Sequence, residues 1–372
     1  MKRVAALLLV ICLFFSGCSI LLGGEHIWTQ VHSIPKSPES NQNIAVSDYD
    51  QLYAAIVDLV ADGMTQATIS VAKYDKDAVE SDAERAVQAV REEDPIAAYA
   101  VKSIEYTVGT GGGESVLALQ ISYLHGQQEI KKIQKVPDHA AACQAVAAAL
   151  ASFEPRLVLQ IQNYEPVYFS QVVAAYALEY PQIVMEVPAV MQNVYPEAGK
   201  TRVVELEFSY TTSRDSLQNM LSQVQPVFAA ASLYVSGDGE ASEKYSQLYS
   251  FLVERFEYKF ETSITPAYSL LRHGVGDSKA FATVYAAMCR LAGLECLTVS
   301  GTRAGESWYW NMVRMEDGFY HVDLLDSSNA GGFRICTDSE MNGYVWDYDA
   351  YPVSALPQPE PTEPATTAPM EE

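Results

Sequence analysis

Asp48 and Asp138 stand 90 residues apart, and so do Tyr74 and Tyr164. Around these anchors one order of patterns runs twice. The first copy opens on the helical stretch DYDQLYAAIVDLV, continues through the strand-like ATISVAKY and the helical DAERAVQAVREEDP, and closes on AVKSIEYTV and VLALQISY. The second opens DHAAACQAVAAAL, continues LVLQIQNY and QVVAAYALEYP, and closes AVMQNVYPE and VVELEFSY. Such a repeat restricts the middle of the chain to one small α+β unit, helix–strand–helix–strand–strand, present twice. In the last strand Val204, Leu206 and Phe208 share one face, as strand alternation requires. Neither copy carries a catalytic grouping, and paired modules of this kind serve as spacers or binding platforms.

The N-terminus sets the compartment. Lys2 and Arg3 precede the apolar run VAALLLVICLFF, which FSGC ends at Cys18. A basic start, an apolar run and small residues before a cut describe a secretory signal. A Cys directly after Ser16-Gly17 resembles the lipobox of bacterial lipoproteins, in which that Cys is acylated and becomes the first residue. Phe15 departs from the Leu more usual there. The alternative is an uncut anchor, because VAALLLVICLFFSGCSILL approaches the length of a bilayer span. On either reading the body lies outside the cytoplasmic membrane and is tethered to it, through lipidated Cys18 on the first.

The expected organisation is therefore a signal peptide over 1–18 and a polar tether over 19–47, then repeat modules over 48–136 and 137–238. A third domain spans 239–353, and a disordered Pro/Glu/Thr tail spans 354–372. Acidic side chains outnumber basic ones 47 to 24, a formal charge of -23, which repels phosphate backbones and disfavours nucleic-acid partners. Cys12 and Cys18 belong to the signal, which leaves Cys143, Cys289, Cys296 and Cys336. None forms a CxxC pair or a Cys/His cluster, so no metal site is expected. Buried thiols are the default, with a Cys296–Cys336 disulfide as the alternative. No organic cofactor is indicated.

The third domain has a different texture. SEKYSQLYSFLVERFEY places Tyr245, Leu248, Tyr249, Leu252, Val253 and Phe256 on one helical face, with Ser242 as a plausible cap. In GVGDSKAFATVYAAM a glycine-bracketed turn leads to Ser278 and a second stripe of Phe281, Val284, Tyr285, Met288 and Leu291, which Gly293 ends. CLTVSG then reads as a strand, and NMVRM and FYHVDL, joined by EDG, read as a hairpin.

TPAYSLLRHGVGDSKAFATVYAAMCRLAGLECLTVSG, WYWNMVRMEDGFYHVDLLD and FRICTDSEMNGYVWDYDAYP together resemble the bacterial transglutaminase-like superfamily. The likeness covers roughly 240–353 and implies a papain-like core, hence an α+β chain with two duplicated modules ahead of that domain. The family's chemistry uses a Cys at a helix N-terminus, a His on the following strand and an Asp one strand later. The helix dipole and the imidazole lower the thiol pKa, and the carboxylate fixes the imidazole tautomer. Carried over through LAGLE and Phe281-Ala282, the nucleophile position falls on Ser278. The His position, two residues before a Trp-Asn pair, falls on Trp308, and the Asp position on Asp323. The two residues that perform the chemistry are thus both altered. A serine hydroxyl is far less acidic than a thiol, so without a base at 308 the resemblance implies a degenerate site, not an enzyme.

Each residue has competing readings. Ser278 is a helix N-cap or a nucleophile. Lys279 is a poor partner for it, since adjacent helical residues do not face each other. His321, two residues before Asp323, and His273, on the loop, are the alternative bases for a serine-type amide or ester hydrolase. Trp308 and Trp310, with Tyr309 between them, are core aromatics or a platform for an envelope peptide, glycan or protein. Asp323, lacking an imidazole, should bond to backbone or to the indole of Trp308 or Trp310. Three functions follow: a membrane-anchored binding protein with a silent cleft, a serine-type hydrolase, or a scaffold for partner proteins.

Overall fold

The computed structural model of the chain describes residues 44–355, apart from 112, 236, 261–262 and 330. The signal segment with Cys18, most of the expected tether and nearly all of the expected tail lie outside the described residues. Among those residues no helix is long and apolar enough to cross a membrane. The chain divides into two compact units that part between Lys131 and Lys132.

The first unit runs β1 (Ile44–Ala45), α1 (Tyr49–Ala61), β2 (Gln66–Ser70), α2 (Val79–Glu93), β3 (Val101–Gly111) and β4 (Glu114–Tyr123). Its sheet has the order β1-β2-β4-β3, with only the β1–β2 pair parallel. The second unit opens with β5 (Gln134–Val136), α3 (His139–Ala151), β6 (Arg156–Ile161), α4 (Phe169–Glu179), β7 (Ala189–Tyr195) and β8 (Arg202–Ser209). Here the order is β5-β6-β8-β7, again with only the first pair parallel. The two sheets share one topology. Asp48 accepts the Gln51 N–H at 3.0 Å and Asp138 accepts the Ala141 N–H at 2.9 Å, so the 90-residue spacing is that of two equivalent helix caps.

The expected boundaries shift at three places. Ile44 pairs with Ile69, so residues 44–47 belong to the first module and not to a tether. Gln134 pairs with Leu159, so residues 134–136 open the second sheet and do not close the first. Edge strands this short carry no alternation of their own, and only their partners reveal them. Helix α5 (Arg214–Tyr234), expected within the second module, buries Leu217, Val224, Phe228 and Ala231 in the core of the C-terminal domain.

That domain continues with α6 (Ala241–Val253), β9 (Glu257–Tyr258), α7 (Pro266–His273), β10 (Val275–Gly276) and α8 (Ser278–Leu291). Then follow β11 (Cys296–Arg303), β12 (Glu306–Arg314), β13 (Phe319–Val322), α9 (Leu324–Asn329) and β14 (Tyr344–Trp346). β9 and β10 form a small parallel pair, and the rest form an antiparallel sheet of order β13-β12-β11-β14. Glu240 precedes α6 without a side-chain cap, and Ser242 lies inside the helix, not at its cap. Helix α7 ends on Gly274 at φ 80°, a left-handed C-cap that glycine adopts without strain.

Helix α8 is the centre of the domain. Apart from Lys279, every residue from Ser278 to Cys289 is buried, whereas Leu291, expected on the apolar stripe, is half exposed. Small side chains at Ala280, Ala282, Thr283, Ala286 and Ala287 let neighbours close on the face that the large residues leave. One face of the sheet turns Val313 and Val322 into the α8 core. Trp308, Trp310 and Met312 join a separate cluster with Val299, Phe319, Cys336 and Trp346. Cys296 lies in the first cluster and Cys336 in the second; with Cys143 and Cys289 both are free thiols, so no Cys296–Cys336 disulfide forms.

Strand β14 closes over Gly301 of β11. A methyl group there would fall on the Val345 carbonyl oxygen and within 2.8 Å of the Trp310 ring. Gly301→Ala is therefore expected to cost about 3 kcal/mol by overpacking, read as a lower midpoint in urea denaturation of the intact chain.

Candidate functional site

Ser278 opens α8 but does not cap it. The N-cap is Asp277, whose Oδ1 accepts the Ala280 N–H at 2.9 Å. An aspartate one residue earlier takes the capping geometry first, and Ser278 becomes the first helical residue, 6% exposed. Its Oγ accepts the backbone N–H of Tyr309 at 3.3 Å, which ties the helix entrance to β12. Asn311 makes a second tie, donating to the Ala282 carbonyl at 2.8 Å and to the Leu297 carbonyl at 3.2 Å.

Trp308 and Asp323 meet directly. The indole Nε1–H of Trp308 donates to Asp323 Oδ2 at 2.7 Å. The same oxygen accepts the Tyr344 hydroxyl at 2.7 Å and faces the Arg303 guanidinium at 3.5 Å. Oδ1 accepts the backbone N–H groups of Leu325 and Asp326 at 2.9 and 3.2 Å. Every lone-pair direction of this buried carboxylate is thus used. Burial and the Asp323 carboxylate push the Tyr344 phenol well up, so it stays a donor. Arg303 also pairs with Asp326 at 2.6 Å and lies over the Trp308 and Tyr344 rings at 5.2 and 5.3 Å.

The indole reproduces half of what an imidazole does in a triad. It donates one N–H to the carboxylate, yet it has no lone pair with which to take a proton from a nucleophile. The arrangement can therefore orient, but it cannot perform general-base catalysis through position 308.

Neither alternative base reaches Ser278. His321 is fully buried, and its Nδ1 accepts the Trp310 indole N–H at 2.9 Å. Its Nε2 then carries the proton and donates to Asp338 Oδ1 at 2.8 Å, so both ring nitrogens are committed. Burial pushes the imidazole below its ordinary value, against the Asp338 carboxylate, which pulls it up. His273, exposed at the end of α7, packs edge-on to Tyr268 at 5.1 Å. The only hydrogen-bond partner of Ser278 Oγ among the described residues is the Tyr309 amide. The alternative Ser278–His321 and Ser278–His273 pairs are not formed.

Trp308 and Trp310 are 8% and 0% exposed, so they are core residues and not an aromatic platform. Tyr309, turned the other way, is the aromatic that stays accessible. It lines a cleft of about 260 Å³ with Tyr258, Phe260, Asp277, Ser278, Lys279 and Ser307. Tyr309 and Lys279 also line a second, mainly apolar pocket of about 230 Å³ against α4 and the segment after it. The Lys279 ammonium lies 5.5 Å from the Tyr309 ring centre. Among the described residues no three His, Cys, Asp or Glu side chains are grouped so as to hold a metal ion. Arg303, Tyr344 and Asp338, which hold Asp323 and His321, carry no signal in the sequence pattern, because each is remote in the chain from the group it holds.

A family model described as the transglutaminase-like superfamily matches residues 229–324, a stretch that contains Ser278, Trp308 and Asp323. This part of the chain is a transglutaminase-like domain. Among solved structures, the chain is similar to a TGase at 9% identity and a TM-score of 0.25, over 45% of this chain and 50% of that one. It is similar to a candidate cysteine protease from Cytophaga hutchinsonii at 14% identity and a TM-score of 0.23, over 40% of this chain and 65% of that one. For a candidate protease from Parabacteroides distasonis the values are 8% and 0.22, over 70% of this chain and 43% of that one. The chain thus spans 43% to 65% of the length of these structures, and likenesses this slight carry no argument about chemistry. No curated protein matches the chain.

The neutral imidazole of His321 in the transglutaminase-like domain has a pH signature. A folded-state pKa held below the unfolded value of about 6.5 means the unfolded chain binds the extra proton first. The contribution is complete above about pH 6.5 and is lost as pH falls from there toward the lower folded value. In His321→Gln, whose amide can accept from Trp310 and donate to Asp338, urea midpoints between about pH 7 and 5 should fall less steeply than in the parent.

Proposed function

We propose that the transglutaminase-like domain is catalytically silent and serves as a binding cleft on the outer face of a bacterial membrane, held there by lipidated Cys18. One observation carries the silent reading: the Trp308 indole occupies Asp323 with a 2.7 Å bond, and among the described residues no imidazole bonds Ser278. A hydroxyl with no base beside it does not attack an amide at neutral pH. The cleft beside Ser278 nonetheless stays open, lined by Tyr309, Lys279 and Phe260, which supports binding of an envelope peptide, glycan or protein in preference to a purely structural role.

The catalytic reading is tested by incorporation of a fluorescent primary amine into a glutamine-containing protein and by hydrolysis of amide and ester chromogens. The intact chain and Ser278→Ala are expected to give the same background rate. Turnover that Ser278→Ala abolishes would overturn the silent reading and favour a serine-type hydrolase.

The anchoring reading is tested separately by labelling cells that express the chain with an alkynyl fatty acid. The parent should carry the label and partition with membranes. Cys18→Ala should lose the label; a label that persists would refute acylation at this position.

A further inference from the structure

Two chambers meet at one pair of side chains. Lys279 and Tyr309 line both the cleft at Ser278 and the apolar pocket beside it. The second pocket is walled on one side by Ala174, Ala177 and Leu178 of α4 and by Pro181, Val184 and Met185 after it, from the second repeat module, and on the other by Pro266, Ala267 and Thr283 of the C-terminal domain. Its volume of about 230 Å³ suits one large aliphatic or aromatic side chain.

The chamber at the entrance of α8 has the opposite character. Three features there favour an anion. The helix runs for 14 residues and turns its positive end to the cleft, where Asp277 caps only the Ala280 N–H. Among the described residues the Lys279 ammonium has an aromatic ring and no carboxylate as its partner. Ser278, 6% exposed, accepts from Tyr309 but has no acceptor for its own hydroxyl proton among the described residues. Asp277 also lines this chamber, and among the described residues its second oxygen has no hydrogen-bond donor.

We propose that the two chambers form one site for the C-terminal residue of a peptide: its large apolar side chain in the pocket that the second module shares with the C-terminal domain, its free carboxylate on Lys279 and the Ser278 hydroxyl. This rests on the reading of the cleft as a binding site. A terminal residue carries all three groups from one Cα: a side chain for the pocket, a carboxylate for Lys279, and an N–H that suits the open oxygen of Asp277. An internal residue lacks the anion, and a free fatty acid lacks the N–H. The repeat module is then a wall of the site and not a spacer.

The test is calorimetric titration of the intact chain with acetyl-diglycyl-leucine, its C-terminal amide and acetyl-triglycine. The leucine acid is expected to bind about tenfold more tightly than either of the others, the size of one charge-assisted bond or one filled apolar pocket. Lys279→Gln should abolish the preference for acid over amide, and Lys279→Arg should restore much of it. Ala174→Trp, at an exposed position on the pocket rim, should abolish the preference for leucine over glycine while keeping that for acid over amide. Equal affinity for acid and amide, or for leucine and glycine, would overturn this assignment and leave a less selective peptide cleft standing. If none of the three peptides binds, the assignment and peptide binding by the cleft both fall.

Discussion

The C-terminal domain is organised by the burial of one helix. From Ser278 to Cys289 all residues of α8 except Lys279 are buried, so every neighbouring element has to meet it at close range. Helices α5, α6 and α7 contribute Leu217, Tyr245, Leu248 and Leu270 to the same core, and the sheet contributes Val313 and Val322. Polar ties then fix the register of helix against sheet: Asn311 to the Ala282 carbonyl, the Tyr285 hydroxyl to the Tyr245 carbonyl, and Ser278 to the Tyr309 amide. In a low-dielectric core such bonds cannot be exchanged for water without loss, so they select one arrangement. The location of Ser278 beside Tyr309 follows from this packing.

The site around Asp323 is held just as firmly. Two indoles on one strand, Trp308 and Trp310, donate to two acceptors near the next, Asp323 and His321. Tyr344 and Arg303 reinforce the first, and Asp338 the second. These groups are mutually satisfied, which makes the pair of tryptophans part of the core.

Much of this was legible in the chain itself, and what was not has physical causes. The repeats could be read because each helix and strand carries its own periodicity and the Asp48 and Asp138 caps mark equal registers. The apolar large residues of α8 were visible as a stripe, but its second face of Ala and Thr reads as neutral until another element is packed on it. The cap was misplaced by one residue because Asp277 and Ser278 are both good capping types, and only backbone geometry separates them. The Trp308–Asp323 bond was one of several partners open to that carboxylate. The pocket shared by α4 and α8 had no sequence signal at all, since its walls are separated by about a hundred residues of chain and meet only through the fold.

The clustering of tryptophan has a practical side. Three of the four in the chain, Trp308, Trp310 and Trp346, lie in one buried cluster of the second unit, and Trp28 lies outside the described residues. The two whose indole protons are placed donate to a carboxylate and to an imidazole, surroundings that shape emission colour and yield. Intrinsic tryptophan fluorescence is thus a local optical probe of the sheet around Asp323 and His321. The first repeat contains no tryptophan, so its melting is better followed by tyrosine absorbance or by backbone signals. A smooth fluorescence transition of these three rings would describe one buried cluster and not the melting of the first repeat.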